Sequence, residues 1–425
     1  MELPILKTKR RFFLAKKIVL FLFGVAVYHF IGKRIVALRK KIVFFIKKHF
    51  FLFFVKNQLL PDNKIQDFVH NQKFWFYGEK ESLSLGKPIS FFDEISPRMR
   101  VGQTISYQSP RPYVCEINNV LCMGKSMLAM TKNGFILPQA SAGVIMFPEV
   151  WAQQEIVNFL RSRYAWSHLE LESAFSLVST WCWNYFHWMF DALASLRSLV
   201  HYEQVTGVSP TIIVPNDISK WQIDLLQLAG FSLKRCLYWD SACTRINTLI
   251  VSSTMINNDY DVQQPEYCLR PSACYWLRDR ILSNMPGQAK QHYDAKIFIS
   301  RVKSRGRKII NEDQIMDVLG PMGFKKICPE DMTVHQQIMV FSHAKVIVGC
   351  GAGLTNIMFS NQPIVIELLS DSHLQVPMHY YFQLSTMFHA QYGVLTGTAF
   401  NEAKHPYWRD FVVDARKLSA LIRKL

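Results

Sequence analysis

The chain has 425 residues, 49% hydrophobic and 19% charged, which excludes a disordered or low-complexity protein and leaves room for two domains of ordinary size. Its net charge of +17 is localised: residues 1–60 carry 14 Lys and Arg against one acid, Glu2, so +13 sits there and only +4 on the other 365 residues. That segment is also rich in Phe, Leu, Ile and Val, which argues against a nucleic-acid arm and for a membrane surface.

Residues 18–32 form an uncharged run of 15 residues between Lys16-Lys17 and Lys33-Arg34, short for a spanning helix, and basic on both sides. Lys33-Arg34, Lys40-Lys41 and Lys47-Lys48 then recur every seven residues, about two helical turns, and form one basic stripe beside Ile35, Leu38, Ile42, Phe45, Ile46, Phe50 and Phe53. Such a helix lies in the interface of an anionic membrane; a single span and a basic soluble helix are the alternatives. Pro61-Asp62-Asn63 closes this helical pattern.

Residues 64–150 read as an irregular β-containing lead-in, with strands at 89–92 and 113–117 and a turn at Lys132-Asn133-Gly134. From about 170 the pattern alternates. Strands are predicted at 175–179, 211–215 and 246–251, and helices at 185–200, 218–229 and from Pro271 to about 282. After 290 it restarts, with strands at 296–300, 324–327, 346–348 and 364–368 and helices at 311–319, 333–343 and 354–359. Strands alternating with helices imply βαβ units and parallel sheets. The chain divides into a membrane-associating segment 1–60 and two Rossmann-like halves, 61–290 and 291–425, facing a cleft.

Nine cysteines stand at irregular spacings with no CxxC, so the sequence offers no zinc site, and no Asn-x-Ser/Thr sequon occurs. Free thiols in a reduced compartment fit both observations.

Three local patterns carry chemistry. In Asn184-Tyr185-Phe186-His187-Trp188-Met189-Phe190-Asp191, His187 and Asp191 are four apart and share a helix face, as a base and its orienting partner do, or as a core His and a local Asp do. Ile299-Ser300-Arg301-Val302-Lys303-Ser304-Arg305-Gly306-Arg307-Lys308 runs a strand into a loop of five basic residues suited to phosphate oxygens, or simply solvated. Gly349-Cys350-Gly351-Ala352-Gly353-Leu354-Thr355-Asn356 is a glycine turn between a buried strand and a helix N-terminus, fit for a diphosphate or for a tight turn. It is neither a dinucleotide fingerprint, since Leu354 stands where the third Gly belongs, nor a Walker A loop.

In this order the three patterns resemble glycosyltransferase family 61, over roughly residues 80–400, with Asn311-Glu312 and Glu367 completing the second and third motifs. The resemblance implies inverting transfer from a nucleotide-sugar such as a UDP-sugar, a GT-B-like α/β fold, and no metal or other cofactor. It implies donor contacts from Arg301, Arg307, Lys308, the turn Gly351, Ala352, Gly353, Leu354, Thr355 and Asn356, and Glu367. Asn184 and Trp188 belong to the acceptor side, and either His187 or Asp191 is the base. The acceptor is a glycan or lipid-linked glycan, and the expected location is the cytoplasmic face of a membrane, with no nucleic-acid partner. The chain departs from the pattern at Cys350, where the family has His, and at Lys308, where it has Arg. Two other readings stand beside this one: a metal-dependent transferase using Asp259-Tyr260-Asp261, and a non-catalytic scaffold for envelope polysaccharide assembly.

Overall fold

The computed structural model describes residues 59–60, 62–69, 73–86, 105–141, 152, 155–156, 166–254, 268–287, 293, 295–372, 380–400 and 404–424. The basic N-terminal segment, the strand expected at 89–92 and Asp259-Tyr260-Asp261 lie outside the described residues. Among the described residues no helix is long and apolar enough to cross a membrane. Gln58–Leu425 forms one compact unit.

The fold is α/β, with two large sheets. The strands are β1 (Phe74–Phe76), β2 (Glu81–Leu85), β3 (Ile105–Ser109), β4 (Tyr113–Met123), β5 (Leu128–Met130), β6 (Trp166–Ser176), β7 (Thr211–Pro215), β8 (Cys236–Trp239), β9 (Cys243–Ser252), β10 (Lys296–Ile299), β11 (Lys325–Ile327), β12 (Val346–Gly349), β13 (Ile364–Ser370), β14 (Gln391–Phe400) and β15 (Asp410–Val412). The first sheet runs β1-β4-β9-β6-β7-β8, with β5 added to β4. Its β9-β6-β7-β8 part is parallel, and β1, β4 and β5 are antiparallel additions. The second sheet runs β11-β10-β12-β13-β14-β15 and is parallel up to β14. Strands β2 and β3 pair separately.

β12 reads Val-Ile-Val-Gly and is buried at every position, as a central parallel strand with both faces covered must be. The helix Val334–His343 before it starts at a capping box: Gln336 N–H donates to Thr333 Oγ1 at 3.2 Å, and Thr333 N–H to Gln336 Oε1 at 2.9 Å. The order β11-β10-β12-β13-β14 reverses direction beside β10, and in open parallel sheets the ligand crevice lies at the carboxyl ends of the strands flanking such a reversal, here β10 and β12. The largest buried apolar cluster draws on both sheets' helices and strands, including Phe186, Trp188 and Leu225 from one side and Ile299, Ile347 and Leu354 from the other.

Three expected boundaries move. A helix, Asp62–Val69, opens where the pattern was expected to close, because Ile65, Phe68 and Val69 form an apolar face and Phe68 meets Phe135 edge-on at 5.5 Å. The strand expected at 175–179 ends at Ser176 and starts nine residues earlier, at Trp166. The helix expected over 185–200 is three pieces: one turn at Tyr185–His187, a π turn at Trp188–Leu193 and a helix at Leu196–Thr206. The π turn is closed by Ala194 N–H donating to Met189 O at 3.0 Å, five residues back.

Candidate active site

One side of the site follows β6. Asn184 caps the short turn, its Oδ1 accepting from Phe186 N–H at 3.0 Å. This directs His187 outward at the start of the π turn, where its Nδ1 lies 2.7 Å from Asp191 Oδ2. The Asp191 side chain is fully buried, whereas His187 is 17% exposed. A carboxylate on Nδ1 fixes the ring and puts the basic lone pair on Nε2. Asp191 also lines a second cavity, with Ser198, Ser252, Ser253 and Arg270 among its other walls; Arg270 is 2% exposed and donates to Ser253 Oγ at 3.2 Å. Arg270 escaped the sequence reading, since its only signal is a charge placed before the helix-opening Pro271. Trp188 is fully buried in the core and turns no surface to the cleft.

The other side is the loop after β10. Glu312 receives Ser300 Oγ–H at 2.7 Å and Arg301 N–H at 2.5 Å. The Arg301 guanidinium donates to Gly306 O at 2.8 Å and Arg307 O at 3.3 Å, so it braces the loop from within. It also lies against Gly351, where any Cβ would strike it. Gly349 and Gly353 are held likewise: a Cβ on either would come within 2.7 and 3.0 Å of the Ile299 side chain. The glycines thus serve internal packing of β10 on the turn, and the Arg301 guanidinium lies against Gly351 at the N-terminal end of the 3-10 helix Gly351–Phe359.

Arg307 has a left-handed backbone, φ 56°, which a non-glycine residue holds only at a cost. Its guanidinium sits over Tyr407, 4.7 Å from the ring centroid, and its Nε is buried without a hydrogen-bond partner. Burial opposes its charge, and the ionisable groups of Tyr407, Cys350, Tyr381 and Glu367 more than offset that, keeping it charged. Cys350 is buried, which raises its thiol above the ordinary range, and its Sγ reaches Arg307 O at 3.8 Å. Lys308 is tied through its backbone to Asp410 Oδ1 at 2.9 Å. Glu367, on β13, accepts from Tyr392 O–H at 2.5 Å; burial pushes its carboxyl up to about 7, against the opposing pull of Tyr392 and Arg307.

The two sides meet in one pocket. Asn184 and His187 line it from the first, and Arg307, Ala352 and Glu367 from the second, together with Tyr380, Tyr381 and Tyr407. The three tyrosines were not foreseen: they lie in the last third of the chain, outside the motifs. Leu354, Thr355 and Asn356 are fully buried beneath the turn. Asn356 links the two sides of the pocket there, its Oδ1 accepting from Tyr185 O–H at 2.8 Å and its Nδ2 donating to Gln337 Oε1 at 3.0 Å.

The class is defined by comparison: the protein is a glycosyltransferase. Residues 185–366 match the family model described as Glycosyltransferase 61, and this region belongs to that family. No curated protein matches the chain.

Proposed function

We propose that the protein transfers a sugar from a nucleotide-sugar, most simply a UDP-sugar, to a hydroxyl of a glycan or lipid-linked glycan, with inversion and without a metal. The observation that carries this reading is that His187 lines the same pocket as Arg307 and Glu367. In the proposed step His187 Nε2 takes the proton of the acceptor hydroxyl, whose oxygen attacks the anomeric carbon. The bond from that carbon to the diphosphate breaks, and the nucleoside diphosphate leaves with the electron pair. Asp191 holds the imidazole and stabilises its cation. The developing negative charge meets Arg307, with its unpartnered Nε, and the Arg301-backed end of the helix Gly351–Phe359. Glu367 is suited to a donor hydroxyl. The two sheets with a cleft between them are read as the two halves of a GT-B-like fold. The basic segment 1–60 is read as holding the enzyme against the cytoplasmic face of an anionic membrane.

Calorimetry with UDP tests the donor side. Arg307→Met keeps length and removes the charge, and a charge-assisted bond lost in the cleft is worth about 1.5–3 kcal/mol, a weakening of roughly tenfold or more. Equal UDP affinity in a folded Arg307→Met protein contradicts the assignment. UDP release persisting in excess EDTA is expected, and its abolition by EDTA would favour a metal-dependent reaction.

A further inference from the structure

The loop between β6 and the turn at Tyr185 is held at every corner. Thr180 Oγ1 donates to Ser126 Oγ at 3.1 Å, and Ser126 Oγ–H in turn to Glu155 Oε1 at 3.0 Å. Gln222 Nε2 donates to Cys182 O at 2.9 Å, and Asn184 N–H to Trp181 O at 2.8 Å. The Trp183 indole N–H is spent on Thr180 O at 3.1 Å. Yet Trp183 is 47% exposed. A large ring hydrogen-bonded back to its own loop but left open to water forgoes burial energy unless a ligand covers it, and because it is already ordered it loses little entropy when covered.

Its neighbours say what covers it. Trp181 connects it to the chemistry, with ring centroids 5.8 Å from Trp183 and 6.0 Å from His187. From the opposite side of the cleft, Arg305 of the basic loop brings its guanidinium 5.6 Å from the Trp183 ring centroid. The exposed indole therefore stands at the meeting point of His187's side and the basic loop, among Thr180, Asn184 and Arg305. An acyl chain needs a continuous apolar groove, and a single indole with polar neighbours does not supply one. A saccharide ring matches it: its C–H face covers the indole while its hydroxyl rim meets the polar groups around it.

Resting on the proposed transfer reaction, we propose that Trp183, backed by Trp181, is a stacking platform for a saccharide ring of the acceptor, adjoining the hydroxyl that His187 deprotonates. The platform is a specificity determinant: it selects acceptors that present a sugar ring at the growing end, and Trp183 takes no part in donor binding.

The test uses the full chain saturated with UDP and a panel of neutral trisaccharides built from xylose, glucose, galactose or N-acetylglucosamine. Binding is read by saturation transfer to the sugar C–H protons, and UDP affinity by calorimetry on the same samples. At least one trisaccharide is expected to bind the wild type, with contacts concentrated on one ring face. Trp183→Phe should keep most of that affinity and Trp183→Ala should lose tenfold or more, with UDP affinity unchanged within twofold in both. No trisaccharide binding by the wild type, or equal binding by a folded Trp183→Ala protein, overturns the platform. Trp183-dependent saccharide binding in a protein that fails to bind UDP keeps the platform and removes the UDP-sugar reading instead.

Discussion

Glu367 has the displaced protonation that gives the site a measurable pH signature. Its carboxyl titrates at about 7 in the fold, raised chiefly by burial. In the unfolded chain it titrates near the ordinary carboxylate value, so between there and 7 the unfolded state has shed a proton that the folded state keeps. Stability held at acidic pH is therefore lost as pH rises through that window and is not regained above it, by about 3 kcal/mol for a displacement of this size. Glu367→Gln removes the titration. Urea unfolding should find it close to wild type near about pH 4.5 and more stable near about pH 8; a difference that does not widen with pH contradicts this account. The pairing of His187 with Asp191 was legible from their four-residue spacing, which survives the π turn that begins between them. Which of the two opens to the pocket was not: the Asp191 side chain is buried, and His187 is partly exposed and lines it. Nor did the run of aromatics around them reveal that Trp183 is exposed while Trp188 is core. Partners from distant strands were equally invisible, as with Tyr392 on Glu367.

At the level of elements, the helix Gly351–Phe359 packs against the turn Tyr185–His187, and Asn356 adds a hydrogen bond between them. Asn356 lies in that helix fully buried, with Tyr185 on one end of its amide and Gln337 on the other. Asn356→Ala removes the partner of the half-buried Tyr185 hydroxyl and of the buried Gln337 amide oxygen, at a cost of about 1–3 kcal/mol for the buried group and less for the other. Its denaturant midpoint should fall accordingly, and Tyr185→Phe in the same background should cost less than it does alone. Additive effects of the two changes would show that the Tyr185–Asn356 bond couples nothing. Strands made of short apolar runs, such as Thr211–Pro215, Val346–Gly349 and Ile364–Ser370, were readable because both their faces are covered. β6 was read too short because its first half, with Leu169, Glu170 and Glu172, has exposed side chains and lacks such a run. β14 and the helix Tyr380–Met387 went unread because Gly393 and Gly397 interrupt the strand and the helix is buried on almost every position, which erases its periodicity.

For the whole molecule, the compact unit begins at Gln58, slightly ahead of the boundary drawn at 60/61 from the change in composition. Leu60 accounts for the difference: it is buried, its N–H donates to Ile136 O at 3.0 Å, and its carbonyl accepts from Gln139 Nε2 at 2.9 Å. A chain starting at Gln58 should fold with near-native thermal stability, whereas one starting at Asp62 leaves Gln139 stranded and should melt several degrees lower. If segment 1–57 is the membrane attachment, only the full chain should sediment with anionic vesicles. The central claim is that one pocket holds donor on the side of Arg307 and acceptor activation on the side of His187. It is tested most directly by counting UDP released from a panel of UDP-sugars per folded molecule, in the wild type and in His187→Ala, with UDP affinity measured on both. The account predicts release from at least one donor by the wild type, release reduced roughly a hundredfold or more in His187→Ala, and the same UDP affinity in the two proteins. Equal turnover per folded molecule, or loss of UDP binding with the histidine, would contradict it.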